Sequence, residues 1–349
     1  MKQLSSRNLN IVSQAEFNRL NRREKILHLL RLAVMAPSTH NTQPWRFVIK
    51  PDNTCKIFID KSRRLEQADT NFKYSYVSLG ALLTNMEYAS RFYGVLKSTE
   101  VLAGKEGEPD VIISLEFDKP KPKKELEPHI LAITKRQNYR GLFNGKKVSR
   151  DMLDDESLHD LPDSRQVQIF FSSDRRMLQT VANLTASALK KAYANQAFRR
   201  EVADHINFNF SRNVTGMHGY TLRMNSLQSV LLPFVMKLKD LGPKLAKLNN
   251  ASLSSAGAVI VLAARQDNPG GWIEIGRRLE KLLLKLATQD VRTSIFVASM
   301  EFPDTRLELK KIMDIPADMT PHMLFAAGRS PDTVGFSRRQ DPDELTTFL

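Results

Sequence analysis

The strongest constraint on this chain of 349 residues is that it carries the same helix pattern twice. YVSLGALLTNMEYASRFYGV begins at Tyr76 and WIEIGRRLEKLLLKLATQDV begins at Trp272. Laid side by side without gaps, Tyr76 meets Trp272, Val77 meets Ile273, Leu79 meets Ile275 and Gly80 meets Gly276. Leu83, Met86 and Val95 then meet Leu279, Leu282 and Val291. Chance could match two apolar helices, but the shared aromatic and glycine favour duplication. Each helix has a strand nearby, VIISLEF or VIVLAA, on opposite sides in sequence. A repeat of this size implies two halves packed like a dimer.

The other elements follow from periodicity and turn residues. RREKILHLLRLAVM, residues 22–35, sets Ile26, Leu27, Leu29, Leu30 and Val34 near one broad helical face. RFVIK, the turn PDNT and CKIFID read as a β-hairpin. Residues 75–93 read as a buried helix, VIISLEF as a strand, and KPKPKKELEP as a linker. A helix over 150–161, the strand QVQIFF and a helix near 174–193 come next. Residues 205–250 read as irregular, and AGAVIVLAA, GGWIEIGRRLEKLLLKLA and MLFAAG close the chain as strand, helix and strand.

Composition narrows the function. No run of eighteen apolar residues predicts a membrane span, and the N-terminus lacks the apolar core of a signal peptide. The single cysteine, Cys55, fits a reducing, cytoplasmic setting. Seven histidines without ligand spacing predict no metal. The net charge of +14 is spread along the chain, with no nucleic-acid motif and no basic helix interleaved with aromatics. A basic cleft for a small anion fits that charge at least as well as nucleic acid does.

One loop stands apart. APSTHNTQPW, Ala36 to Trp45, joins a helix to a strand with two prolines and a crowd of short polar side chains. Pro37 and Pro44 stiffen it. Ser38, Thr39, Asn41 and Gln43 offer donors and acceptors suited to a planar, heteroatom-edged ligand such as an isoalloxazine or nucleobase. His40 could be an acid or base, though a structural role is favoured. Trp45 is expected in the core. A second cluster, KRQNYRGLF, sets Arg136, Asn138 and Arg140 on one face if extended. That is an anion grip, or else a solvated basic run. A third, Ser337-Arg338-Arg339, follows the last strand.

Together these residues resemble the nitroreductase family, which binds FMN. A-P-S-x-x-N-x-Q-P-W-x-F looks like its loop motif, R-x-N-x-R-x-x-F like its N-terminal phosphate element (usually R-x-S-x-R or R-x-S-x-K), and SRR like its C-terminal arginine element. The order, with the loop first, and the length resemble the tandem, single-chain, Acg-like branch. The likeness runs over residues 25–340. It implies an α+β fold of two tandem halves forming an intramolecular pseudo-dimer, each a mostly antiparallel sheet flanked by helices. The halves would be 1–127, with the loop, and 128–349, with the arginines and a lid at 205–250.

The resemblance also implies one site per chain. Pro37, Ser38, Thr39, Asn41 and Gln43 would come from one half, and Arg136, Asn138, Arg140, Arg338 and Arg339 from the other. Arg136 with Arg338 or Arg339 would neutralise the FMN phosphate, and Asn138 would replace the family's serine. Arg140 would sit at the flavin N1 and O2 edge, Ser38, Thr39 and Asn41 would contact the ribityl chain and ring edge, and Asn249 or Asn250 would reach the pyrimidine edge. LPDSRQ, at 161–166, looks like the same loop with its chemistry lost. The implied activity is hydride transfer from NAD(P)H through FMN to an electron-poor acceptor such as a nitroaromatic or quinone, with no side chain required as acid or base. The alternative is a flavin-sequestering protein whose 205–250 lid, with Phe208, Phe210, Met217, Tyr220 and Met224, caps the ring. Neither reading expects nucleic acid or a membrane as partner, and the chain would be a monomeric pseudo-dimer or a homodimer.

Overall fold

A computed structural model describes residues 3–5, 9–103, 111–154, 166–332 and 335–349. The first sheet is built on alternation. Along Trp45–Ile49, the side chains of Trp45, Phe47 and Ile49 are buried while Arg46 faces solvent, the period of a strand with one wet face. This strand pairs antiparallel with Thr54–Ile59, forming the expected hairpin. Thr54–Ile59 pairs with Val111–Phe117, and that strand with Leu96–Val101. On the other edge Thr346–Phe348 joins Trp45–Ile49 in parallel. The second sheet is antiparallel throughout, in the order Arg292–Ile295, Thr320–Gly328, Ala258–Ala264 and Val167–Ser172. Every residue of Ala258–Ala264 is buried, because both faces of this sheet are covered. Val259, Val261 and Ala263 pack with Leu178 and Val181 of the helix Arg175–Ala194. Ala258, Ile260 and Leu262 pack with Trp272, Ile275 and Leu279.

The two echoing helices, Lys73–Phe92 and Pro269–Thr288, lie against each other between the sheets. A Cβ on Gly80 would sit 2.0 Å from the Ile273 carbonyl oxygen, and one on Gly276 would sit 1.9 Å from that of Val77. Val77 and Ile273 are themselves partners in the sequence alignment. Reciprocal contact of this kind marks a two-fold interface. Tyr76 and Trp272, also aligned, touch with ring centroids 5.8 Å apart. Across this crossing Arg277 Nη2 of the second helix donates to both carboxylate oxygens of Glu87 on the first, at 3.1 and 3.0 Å in the buried interface.

Three features depart from the sequence reading. Residues 205–250 hold two helices, Ser226–Leu238 and Gly242–Ser254. Pro233 inside the first, and apolar residues on all its faces, conceal the helical period. The strand Leu96–Val101 is added at a sheet edge, where only Leu96 is buried and no alternation of apolar residues betrays it. Of the helix read at 150–161, a single short turn, Arg150–Leu153, is present among the described residues. Residues 155–161 of that reading, and 161–165 of LPDSRQ, lie outside them. The helix Glu127–Lys135 buries Ile130 and Ile133 with the first sheet, and the last strand returns to that sheet.

Candidate functional site

The helix Arg22–Ala33 ends at Val34, and the polar loop carries the chain from there to Trp45. His40, Asn41 and Gln43 have φ of 48°, 59° and 56°. Each left-handed non-glycine residue costs about 1–3 kcal/mol, so the surroundings must over-determine it. They do. Ser38 Oγ accepts the Gln43 N–H at 3.0 Å, and Thr39 closes the turn by accepting the Thr42 N–H at 3.0 Å. Gln43 Nε2 donates to Val214 O at 2.7 Å, while its Oε1 accepts the Gln340 N–H at 2.9 Å. Asn41 Nδ2 donates to Gly216 O at 3.0 Å and Arg338 O at 3.1 Å. Arg63 donates to the carbonyls of Thr42 and Gln43 at 3.2 and 2.9 Å. Pro37 sits half-buried at the loop's entrance.

The arginines divide into two kinds. Arg339 is buried and spent: Nε donates to Val34 O at 2.8 Å, and its terminal nitrogens donate to Ala36 O at 3.1 Å and Asn41 Oδ1 at 2.7 Å. It caps the C-terminal carbonyls of the helix before the loop, where a cation suits the helix dipole. Burial, with Arg136 nearby, pulls its pKa down to about 9. Arg136 is likewise buried, donating to Met35 O at 2.6 Å with its Nε 3.2 Å from Glu280 Oε1. Glu280 is fully buried, and burial raises its pKa. Arg136 and Arg339 thus hold the loop's entrance, and their charge is answered by protein groups.

Arg140 and Arg338 are the other kind. Residues 136–140 are extended beside the strand Arg292–Ile295: Tyr139 N–H donates to Thr293 O at 2.7 Å, and Asn138 Oδ1 accepts the Ile295 N–H at 2.9 Å. Asn138 is therefore committed to the sheet edge. Arg140 reaches no better partners than Thr221 O at 3.5 Å and Met217 Sδ at 3.6 Å. Among the described residues no carboxylate ion-pairs with it, and burial drives its pKa down to about 10. Arg338 donates to Ser211 O at 2.5 Å, and among the described residues it too has no carboxylate partner. His40 belongs to the same place: its Nδ1 is buried without a hydrogen bond, its ring lies 5.8 Å from that of His205, and burial, then His205 and Arg140, push its pKa down to about 3.

The structure thus brings the loop, Arg136, Arg140, Arg338 and Arg339 together. Trp45 is fully buried in the first core, as expected. Of the lid residues, Met217 is buried at Arg140, and Tyr220 stacks on His218 with its hydroxyl donating to Phe336 O at 3.4 Å. Phe208 and Phe210 point into solvent. Asn250 is away from the loop, donating to Asn183 Oδ1 at 2.8 Å between two outer helices. Sequence reasoning did not single out Glu280 or Arg63. Glu280 had a signal, a carboxylate set in the apolar face of a helix. The backbone carbonyls of Ser211, Val214 and Gly216 had none.

Among the described residues, fold and site define an α+β chain with two larger sheets around a central helix pair, a strained polar loop and, beside it, two arginines lacking carboxylate partners. Its sequence likeness is to the nitroreductases: it is 35% identical over 71 residues to the Mycobacterium tuberculosis protein called "Putative NAD(P)H nitroreductase acg", 20% of this chain and 21% of that one. An uncharacterized protein of the same organism is 34% identical over 61 residues, 17% of this chain and 18% of its own. The chain therefore matches about a fifth of the length of these curated relatives. No family model matches. Among solved structures, a Desulfitobacterium hafniense nitroreductase with bound FMN aligns at TM-score 0.41 and 13% identity, over 63% of this chain and 97% of that one. An FMN- and NADPH-dependent nitroreductase from a Sphingopyxis strain aligns at 0.38 and 16%, over 58% and 88%.

Proposed function

We propose that the chain is an FMN-dependent NAD(P)H oxidoreductase with one flavin site, formed by the loop at 36–45, Arg140 and Arg338. The observation that carries this is Arg140, a half-buried guanidinium with no carboxylate partner among the described residues. A protein keeps such a cation where an anionic group is to be bound. His40 Nδ1, buried without a partner, adds an unused polar atom beside it. These groups fit a flavin mononucleotide, whose phosphate and reduced ring are both anionic. When bound, the flavin supplies hydride transfer between NAD(P)H and an electron-poor acceptor such as a nitroaromatic or quinone. Arg140 would favour the anionic reduced ring, and Arg338 would hold the phosphate. Arg136, Arg339, Asn41 and Gln43 position the loop.

A second reading has its own support. Residues 205–224 are strapped over the loop: Gly216 N–H donates to Asn41 O at 3.2 Å, Gln43 and Asn41 donate to Val214 and Gly216, and Arg338 donates to Ser211. That closed arrangement favours a protein that holds the flavin and turns over little. One experiment separates the readings. The purified chain is loaded with FMN, desalted, and its visible spectrum followed after anaerobic NADPH or NADH. A retained band that bleaches supports the reductase. A retained band that neither nucleotide bleaches supports sequestration, and no retained band overturns both.

A further inference from the structure

The helix Ser226–Leu238 rests on the molecule through the buried Ser229 and through Leu232 and Met236, which pack with Val202, Ile206 and Met217. Its opposite face carries Leu227, Val230, Leu231, Phe234, Val235 and Leu238, at helical spacing, all turned to solvent. Leu227 is 68% exposed, Phe234 65% and Leu238 81%. Beside them lie Phe208 and Phe210, with ring centroids 4.7 Å apart and both exposed, held at the helix by an Asn209 N–H donated to Ser229 Oγ at 3.1 Å. A soluble monomer rarely leaves so continuous an apolar strip in water.

The charges around the strip identify what covers it. Lys237 is the helix's only charged residue, paired with Asp204. Arg223, paired with Asp332, precedes the helix, and Lys239, Lys244 and Lys247 follow it, all exposed. Asp240, among the lysines, turns a carboxylate oxygen to the Gly242 N–H at 2.7 Å. A second copy docking here would bring one basic rim against another, on chains each carrying +14. Anionic lipid headgroups complement that rim, and acyl chains complement the strip.

We propose that this face docks the protein on an anionic lipid bilayer. The helix Ser226–Leu238 lies in the plane of the interface with Leu227, Leu231, Phe234 and Leu238 inserted, and the lysines that follow it contact the headgroups. Such a helix lies on a membrane; among the described residues no helix is long and apolar enough to cross one. The proposal is independent of the flavin reading.

The test is co-sedimentation of the full chain with vesicles of phosphatidylcholine alone or mixed with phosphatidylglycerol. The comparison is with the double variant Leu231→Ser/Phe234→Ser, whose exposed sites leave the fold intact, as an unchanged melting temperature would verify. The expected result is binding to the mixed vesicles, at least tenfold weaker on phosphatidylcholine alone and at least tenfold weaker in the double variant. Absence of binding to the mixed vesicles would overturn the proposal. So would equal binding by the double variant, which would mean that net charge alone acts. A wild-type dimer in sedimentation that the double variant dissociates would make a second copy the occupant, and would also overturn it.

Discussion

Arg140→Met sets stability against ligand capture. Methionine keeps the length of the side chain and removes its charge, and Met217 already offers a thioether at that point. Burial lowers the pKa of Arg140 from 12.5 to about 10, which converts at about 1.4 kcal/mol per pH unit to about 3 kcal/mol against the charged form. The residue keeps some solvent contact, so the penalty felt by the folded state is about 1–3 kcal/mol. The sign is fixed: a cation whose folded pKa is depressed destabilises the fold wherever it is charged, pH 7 included. Without ligand the variant should therefore be more stable than the parent by about 1–3 kcal/mol in urea titration at pH 7. The same variant should bind FMN at least about tenfold more weakly, or about 1.4 kcal/mol, by fluorescence titration. Arg140→Lys should recover part of the affinity and none of the stability. A variant that loses stability, or binds FMN as the parent does, would refute the view of Arg140 as a cation reserved for an anion.

Three other perturbations probe the frame around the site. Glu280→Gln leaves Arg136 and Arg339 buried without their carboxylate, and should cost about 3–5 kcal/mol in urea unfolding; added inorganic phosphate should not rescue it, and rescue would mean that these arginines do hold phosphate. Gly80→Ala and Gly276→Ala each force a methyl onto a carbonyl across the helix crossing and should cost about 1–3 kcal/mol. Because one separation of the helices relieves both clashes, the double variant should cost less than the two together, and strict additivity would contradict the reciprocal contact. Finally, burial lowers the pKa of His28 and His322 to about 4 and of His40 to about 3. The unfolded chain takes up these protons first, near pH 6.5, so stability present above that pH should fall as the pH drops through about 4. His322→Gln should flatten this slope in melts between pH 7 and 4.5, and an unchanged slope would speak against a neutral buried His322.

The sequence carried the repeated helices, the hairpin and the buried strand Ala258–Ala264 because each is governed by local period: 3.6 for the helices, 2 for the hairpin, an unbroken apolar run for a strand covered on both faces. It hid the helix Ser226–Leu238 because apolar residues surround that helix, so no single face stands out, and a proline interrupts it. The residues that the structure gathers around the loop were legible as a set but not as a division of labour. Nothing in R-x-N-x-R tells that Arg136 meets a glutamate from a distant helix while Arg140 meets none. The strap over the loop works through backbone carbonyls, which any residue supplies, so composition could not announce it.

The two aligned helices match at their crossing and then diverge, and the proposed site lies on the side where they diverge. At the helix crossing the contacts are reciprocal: Gly80 faces Ile273 as Gly276 faces Val77. One turn further along, equivalence ends, because Glu280 occupies the place that Thr84 holds in the first helix. Glu280 neutralises Arg136 and lies by Arg339, and those two arginines grip the carbonyls of Val34, Met35 and Ala36 at the loop's entrance. Thr84 spends its hydroxyl on the Arg277 carbonyl at 3.2 Å and has no charge with which to anchor an arginine. A strained loop with three left-handed non-glycine residues can persist only where such pins exist. The reciprocal glycine contacts therefore hold the crossing from both helices, while the buried carboxylate of Glu280 pins the strained loop on one side of it.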